Sequence, residues 1–301
     1  MTSDTSSSHW TILKILTWTT SYFESFNIDS PRLTAEILLC HCLEVKRLDL
    51  YLQYDRPLDK KELSAYRGLI SRRVKREPVA YITGTKGFWE SEFSVNQGVL
   101  IPRPDTEVLV ETALKILGTA GFEKKKNKVL ELGVGSGAVI ISIAATYPLN
   151  FYFAGDLSYG AAESAACNAR KILDNTGVSI FVGSWFSCLN VKNRFDLIIS
   201  NPPYIPLKEI ENLQPEIKNY EPMLALDGGE DGLACIREIM GHAWQYLSSK
   251  GVLLLETGAD QKPHIETIAD NCSKYDPVKY IKDYAGHDRV AVLKKRDCQK
   301  R

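Results

Sequence analysis

The sequence predicts an α/β fold: a mostly parallel sheet with helices on both faces and a terminal antiparallel hairpin, preceded by a small all-helical segment. Three observations carry this. Short apolar runs beginning at Val129, Phe151, Ser179, Phe195 and Gly251 read as strands, with helical stretches between most of them. The final two runs, Val278–Ile281 and Arg289–Leu293, follow one another closely enough to pair without a crossover. Residues 1–77 show helical signals alone.

Within 1–77, Ser30-Pro31 reads as an N-cap followed by proline at the first helical position. Asp59 and Glu62 have capping-box spacing, and Leu63, Tyr66, Leu69, Ile70 and Val74 then share a face. Residues 78–104 turn β-like: Val79-Ala80-Tyr81-Ile82, then Gly84, Gly87, Phe88-Trp89 and Phe93-Ser94-Val95 predict a hairpin linker. The α/β domain is expected over 105–301.

Val129-Leu130-Glu131-Leu132 is a short strand running into Gly133-Val134-Gly135-Ser136-Gly137, with a helix expected from Val139 to Tyr147. Glycines let a backbone approach a ligand with no Cβ in the way, and the helix N-terminus offers free N–H groups. Asp156 closes the next strand, about 20 residues beyond the turn, the offset at which an acid binds a ribose diol. Gly133, Gly135 and Ala138 also fit a dinucleotide fingerprint, so these residues alone leave a nicotinamide or flavin enzyme as a competitor. The strand over Ser179–Val182 leads to Gly183-Ser184-Trp185-Phe186, where the indole of Trp185 either packs on an adenine or fills core space.

The run Phe195–Ser200 ends abruptly in Asn201-Pro202-Pro203-Tyr204. Proline stops a ladder and stiffens the residue before it, so this is a rigid loop at the carboxyl end of a strand, where open α/β sheets bind ligands. The Asn201 side chain and the Pro202 carbonyl can accept two hydrogen bonds, and Tyr204 supplies a flat face. Together they suit a planar –NH2 group. A dehydrogenase has no need of such a loop, which favours S-adenosylmethionine as the cofactor.

Lys+Arg and Asp+Glu both number 37, so the formal net charge is zero and no bulk field draws a polyanion. The clusters Arg72–Arg76, Lys124–Lys128 and Lys294–Arg296 read as solvated faces. Seven cysteines are scattered, Cys40-His41-Cys42 in an apolar helical run that reads as core, and reduced thiols in the cytoplasm fit this usage. The histidines form no metal-ligand pair, so no metal is expected. Residues 1–8 are polar, without the apolar run of a signal peptide, and nothing approaches a membrane span.

Ile101-Pro102-Arg103-Pro104-Asp105-Thr106-Glu107, the glycine turn and Asn201-Pro202-Pro203-Tyr204, in this order, closely resemble the glutamine methyltransferases of the HemK type, which modify peptide chain release factors. Pro78–Gly84, Gly183–Phe186, Glu221-Pro222, Asp231–Leu233 and Gly286–Val290 extend the resemblance over residues 30–293. It implies a class I, Rossmann-like methyltransferase domain, with the helical segment helping to grip the release factor. By the same resemblance Gly133, Val134, Gly135, Ser136 and Gly137 hold the methionyl part of S-adenosylmethionine, Asp156 its ribose and Trp185 its adenine, with Asn201 beside them. Asn201, Pro202, Pro203 and Tyr204 hold the substrate glutamine of a Gly-Gly-Gln loop, with Asn201, Pro202 and Tyr204 catalytic and S-adenosylhomocysteine the product. Val134 stands where threonine is usual, and Glu131 where aspartate is frequent. A monomer without direct nucleic-acid binding is expected. The alternative is an amino-group methyltransferase of DNA or RNA, since exocyclic –NH2 groups suit the same loop; neutral charge and the small helical segment argue against it. A non-catalytic binder of the same fold is a third reading, disfavoured because every glycine, acid and Asn201 is in place.

Overall fold

The computed structural model describes residues 10–123, 125–173 and 177–297. The polar start over 1–8, His9 and Lys124 of the second basic cluster lie outside them. The chain divides into two compact units, the first reaching to Gly84 and taking in Pro215–Tyr220, the second running over Thr85–Gln214 and from Glu221 onward.

In the first unit, α1 (Ile12–Ser25), α2 (Pro31–Leu43), α3 (Arg47–Leu52), α4 (Lys60–Val74) and α5 (Val79–Thr83) close around Leu16, Phe23, Leu38, Leu39, Tyr66 and Ile82. The predicted capping box opens α4: the Asp59 carboxylate accepts from the N–H groups of Lys61 and Glu62, and Glu62 accepts from that of Asp59. Ser30 does stand at the N-cap of α2, but in a left-handed conformation (φ 46°) that leaves its side chain without a capping bond. The expectation for Val79–Ile82 is corrected. This segment is a helical turn, because the Pro78 carbonyl accepts from the N–H groups of Tyr81 and Ile82 and Gly84 ends the turn at φ 76°. Cys40 and Cys42, half-buried, pack against this core, while His41 between them is exposed, so the core reading holds for the two cysteines and not for the histidine. The basic cluster on α4 is not simply solvated either. Arg72 pairs with Glu77, while buried Arg73 and Arg76 both reach Glu216 in α10 (Pro215–Lys218), the segment that a long excursion of the chain adds to this unit.

In the second unit, β1 (Thr85–Phe88) and β2 (Ser91–Ser94) form the hairpin, tied at Ser94 by two hydrogen bonds with the Asn168 amide. There follow α6 (Glu107–Leu117), β3 (Lys128–Leu132), α7 (Ala138–Thr146), β4 (Phe151–Asp156), α8 (Tyr159–Ile172), β5 (Val178–Val182), β6 (Phe195–Ser200) and the short α9 (Leu207–Ile210). After the excursion come α11 (Ala234–Tyr246), β7 (Leu247–Glu256), α12 (Lys262–Cys272), β8 (Lys279–Lys282) and β9 (Asp288–Lys294). The strands pair in the order β5-β4-β3-β6-β7-β9-β8, parallel as far as β7, with β9 and β8 antiparallel at the end. This is the architecture the strand pattern predicts.

Period-two alternation builds the two faces. Val129, Leu197, Ile199, Val252 and Leu254 join α6, α7 and α8 in one core, while Leu130, Ile198, Leu253 and Leu255 join α11 and α12 in the other. Each such aliphatic is worth about 1.5–3 kcal/mol when fully buried, and a one-residue slip would exchange the two sets, so register is firmly held. Strand order reverses between β3 and β6, which opens a crevice at their carboxyl ends.

Candidate active site

Parallel register lines up the ends of five strands. Val182 pairs with Asp156, Gly155 with Leu132, Leu132 with Ser200, and Ser200 with Leu255. The Ser200 hydroxyl also donates to the Leu132 carbonyl at 2.7 Å. The glycine turn and the Asn-Pro-Pro-Tyr loop therefore leave the sheet side by side, with Asp156 beyond one and Glu256 beyond the other. They border a cavity of about 480 Å³ whose lining includes Gly133, Gly135, Asp156, Trp185, Asn201 and Pro203. Val134, Ser136, Gly137, Pro202 and Tyr204 neighbour these residues in sequence without lining the cavity themselves.

The turn is shaped by its backbone. Gly133, Gly135 and Gly137 have φ of 72°, 53° and 83°, in the left-handed region that other residues avoid. At Gly137, the N-cap of α7, a Cβ would in addition come within 2.6 Å of Ile141 Cδ1. Asp156 spans the turn and the following helix, accepting from Gly135 N and Ser158 N, each at 2.9 Å. Val134 is buried in the core of the α6 face, which suits an aliphatic side chain there. Glu131 is wholly buried and accepts from Ile140 N at 2.9 Å, tying the start of α7 to β3; burial pushes its carboxyl well up. Trp185, at φ 44°, both lines the cavity and packs against the core of the α11 face.

The other wall is a polar network. Asn201 Nδ2 donates to Thr106 Oγ1 at 3.3 Å. Thr106 closes a 3-10 turn over Pro104–Thr106 that runs into α6, so its backbone is already helical (φ −67°) and its hydroxyl has no capping role there; it lies beside the Glu256 carboxylate. Tyr204 donates to Glu256 Oε1 at 3.4 Å, and burial pushes its phenol well up, so it stays protonated. Glu256 is 1% exposed, and burial pushes its carboxyl up to about 7 against the opposing effects of Thr106 and Arg289. Arg289 pairs with Asp283 and Asp105, and Arg103 with the buried Glu221. Gln261 Nε2 holds the Tyr204 carbonyl at 3.0 Å and that of Gly232 at 3.1 Å. Thr106, Glu256 and Gln261 were not singled out as site residues from sequence. For Glu256 a signal existed, a carboxylate closing the apolar strand Leu253-Leu254-Leu255 as Asp156 closes β4. The cavity's far wall, Pro222 to Ala225 with Asp227 and Cys235, carried none beyond the Glu221-Pro222 resemblance.

Comparison with known proteins decides the family. Residues 14–84 match the PrmC N-terminal domain and residues 106–217 the methyltransferase small domain. The release factor glutamine methyltransferase of Geobacter sulfurreducens is 44% identical over 84% of this chain and 86% of its own length. The chain belongs to the release factor glutamine methyltransferase family. Another member, from Rhodopirellula baltica, is 34% identical over 95% of this chain and 97% of its own. Family and fold agree: a methyltransferase from Pyrococcus furiosus superposes with a TM-score of 0.51 at 19% identity, covering 75% of this chain and 97% of that one. The second unit thus has the class I, Rossmann-like methyltransferase fold, with β8 and β9 as its antiparallel end strands. Among the described residues, no helix is long and apolar enough to cross a membrane.

Proposed function

We propose that this family member methylates the side-chain amide nitrogen of the glutamine in the Gly-Gly-Gln loop of class I peptide chain release factors, in the cytoplasm and as a monomer. The observation that carries this reading is the pairing of Leu132 with Ser200, which sets the glycine turn against the Asn-Pro-Pro-Tyr loop at one cavity. The cavity suits S-adenosylmethionine. It has the volume for a nucleoside-sized ligand, glycine backbone at Gly133 and Gly135, a ribose acceptor in Asp156 and an indole in Trp185 for the adenine. When bound, S-adenosylmethionine supplies the methyl group and leaves as S-adenosylhomocysteine.

The chain's own part is to hold a weak nucleophile. Asn201 Oδ1 and the Pro202 carbonyl accept the two N–H groups of the glutamine amide, and Tyr204 stacks on its plane with Pro203 alongside. With S-adenosylmethionine bound, this would orient the nitrogen lone pair for attack, which is where positioning contributes to rate. The two acceptor dipoles stabilise positive charge as it develops on nitrogen. The nitrogen becomes acidic on methylation and releases its proton to water, so no general base is called for. The helical first unit serves to recognise the release factor.

Replacing Asn201 by Ala tests the assignment. Turnover is expected to fall by at least about 100-fold while cofactor affinity stays within a few-fold, the signature of an interaction used in the transition state. An equal loss of cofactor binding would contradict it.

A further inference from the structure

The two prolines of the Asn201–Tyr204 loop stiffen only part of it. Each fixes its own φ and restricts the residue before it, so Asn201, Pro202 and Pro203 are constrained by the sequence itself. Tyr204 is followed by Ile205, and no proline limits its backbone. Yet Tyr204 is the residue whose ring has to lie flat on the substrate amide in the function proposed above. Its position must be set from outside the loop.

Two side chains hold it, one at each end. The Tyr204 hydroxyl donates to Glu256 Oε1, and the Tyr204 carbonyl accepts from Gln261 Nε2 at 3.0 Å. Gln261 is only 6% exposed, and its carboxamide is fully engaged. Nε2 also donates to the Gly232 carbonyl at 3.1 Å, and Oε1 accepts from Gly258 N at 2.9 Å. Carbonyls only accept and a backbone N–H only donates, so these partners fix which end of the amide is which. Its two protons are spent on two backbone carbonyls from different segments, Tyr204 and Gly232.

The Gly232 segment belongs to the resemblance seen in the sequence, but none of the site's chemistry passes through it. Its glycines let it close on Tyr204. A Cβ at Gly228 would come within 2.8 Å of Tyr204 Cα, and one at Gly232 within 2.4 Å of the Tyr204 carbonyl oxygen and 3.0 Å of Gln261 Nε2. Beyond Tyr204, Ile205 N donates to the Leu226 carbonyl at 3.2 Å and Gly228 N to that of Ile205 at 2.9 Å, so the same segment also pins the loop's exit.

Resting on the proposed function, we propose that Gln261 is a positioning residue for Tyr204. By clamping the Tyr204 carbonyl to that of Gly232, it holds the ring in the plane that covers the substrate amide. A purely local role would instead use the other end of the side chain, the Oε1 bond to Gly258 N that closes the turn before α12.

The test uses the full chain with a purified class I release factor. Gln261→Glu keeps the shape and the acceptor for Gly258 N but leaves at most one donor for two carbonyls; Gln261→Met keeps the bulk and loses both ends. Each should lower kcat by about 10- to 100-fold, with KM for the factor and cofactor affinity within about threefold. A role confined to the turn predicts Gln261→Glu at wild-type kcat, and that result overturns the proposal, as does an unchanged Gln261→Met. An effect exerted through Tyr204 must also vanish with the ring. In single-turnover methyl transfer, adding Gln261→Met to Tyr204→Ala should cost less than about threefold, and any larger further loss overturns the proposal. One readout needs no turnover. In protein labelled with fluorotyrosine, the Tyr204 resonance, assigned by its loss in Tyr204→Phe, should move or split in both Gln261 variants; an unmoved resonance overturns the proposal. A wild-type protein that leaves the factor unmethylated contradicts the proposed function instead, and the fluorine spectra then decide by themselves whether Gln261 holds Tyr204.

Discussion

The two walls of the cavity are built on opposite principles. On the glycine side the shape is made by backbone: three positive φ angles, and one carboxylate, Asp156, whose two oxygens each take a backbone N–H. On the Asn-Pro-Pro-Tyr side it is made by side chains drawn from distant segments, Thr106, Tyr204, Glu256 and Arg289. The difference teaches how each wall should fail. Damage to the backbone wall should appear in cofactor affinity and stability together. Damage to the side-chain wall should appear in kcat, with stability unchanged or even improved.

The largest effect is expected from Gly137→Val. A β-branched residue in the left-handed region, pressed against Ile141 and Ala165, should cost about 2–4 kcal/mol of stability. Chemical denaturation would read this, and calorimetry should show weakened cofactor binding in parallel. A variant that bound the cofactor normally and lost only kcat would break the comparison from the backbone side.

Glu256→Gln sharpens it from the other side. The folded-state carboxyl lies near 7, above its ordinary 4.5. Folding therefore favours the protonated form, and the associated stability is fully present below about 4.5 and lost as pH rises through about 7. The glutamine variant escapes that loss. It should be more stable than wild type by about 1–3 kcal/mol at pH 8, with the difference shrinking toward pH 5, while its kcat is reduced. Denaturation curves at the two pH values check the sign. A variant both less stable and less active at pH 8 would make Glu256 a structural residue.

The smallest effect is expected where the walls meet. Ser200→Ala removes the bond to the Leu132 carbonyl and should cost about 1 kcal/mol, with modest losses in both cofactor affinity and kcat.

The same contrast explains what was legible beforehand. Strands, the glycine turn and the stiff loop are written in local periods and in glycine and proline, so they can be read without the fold. The alternation of buried residues excludes a one-residue slip between β3 and β6 but not a two-residue one, so the pairing of Leu132 with Ser200 is seen only in the structure. Val79–Ile82 misled because a short branched run suits helix and strand alike, and the Pro78 carbonyl that decides the matter is visible only once the turn has closed. Thr106 lay inside a recognised motif, but a threonine before a helix signals a cap, and its hydrogen-bond partner is 95 residues away in sequence, at Asn201. The excursion that sends Glu216 to Arg73 and Arg76 has no local sign, because either sequence alone looks like a charged surface.

The central claim is that the two walls together present one glutamine amide to one methyl donor. The most direct test is transfer of labelled methyl from S-adenosylmethionine to a purified class I release factor, beside the same factor with its Gly-Gly-Gln glutamine replaced. Label on the intact factor and none on the altered one is the predicted result. Label on both factors, or on neither while the cofactor binds, would contradict the account.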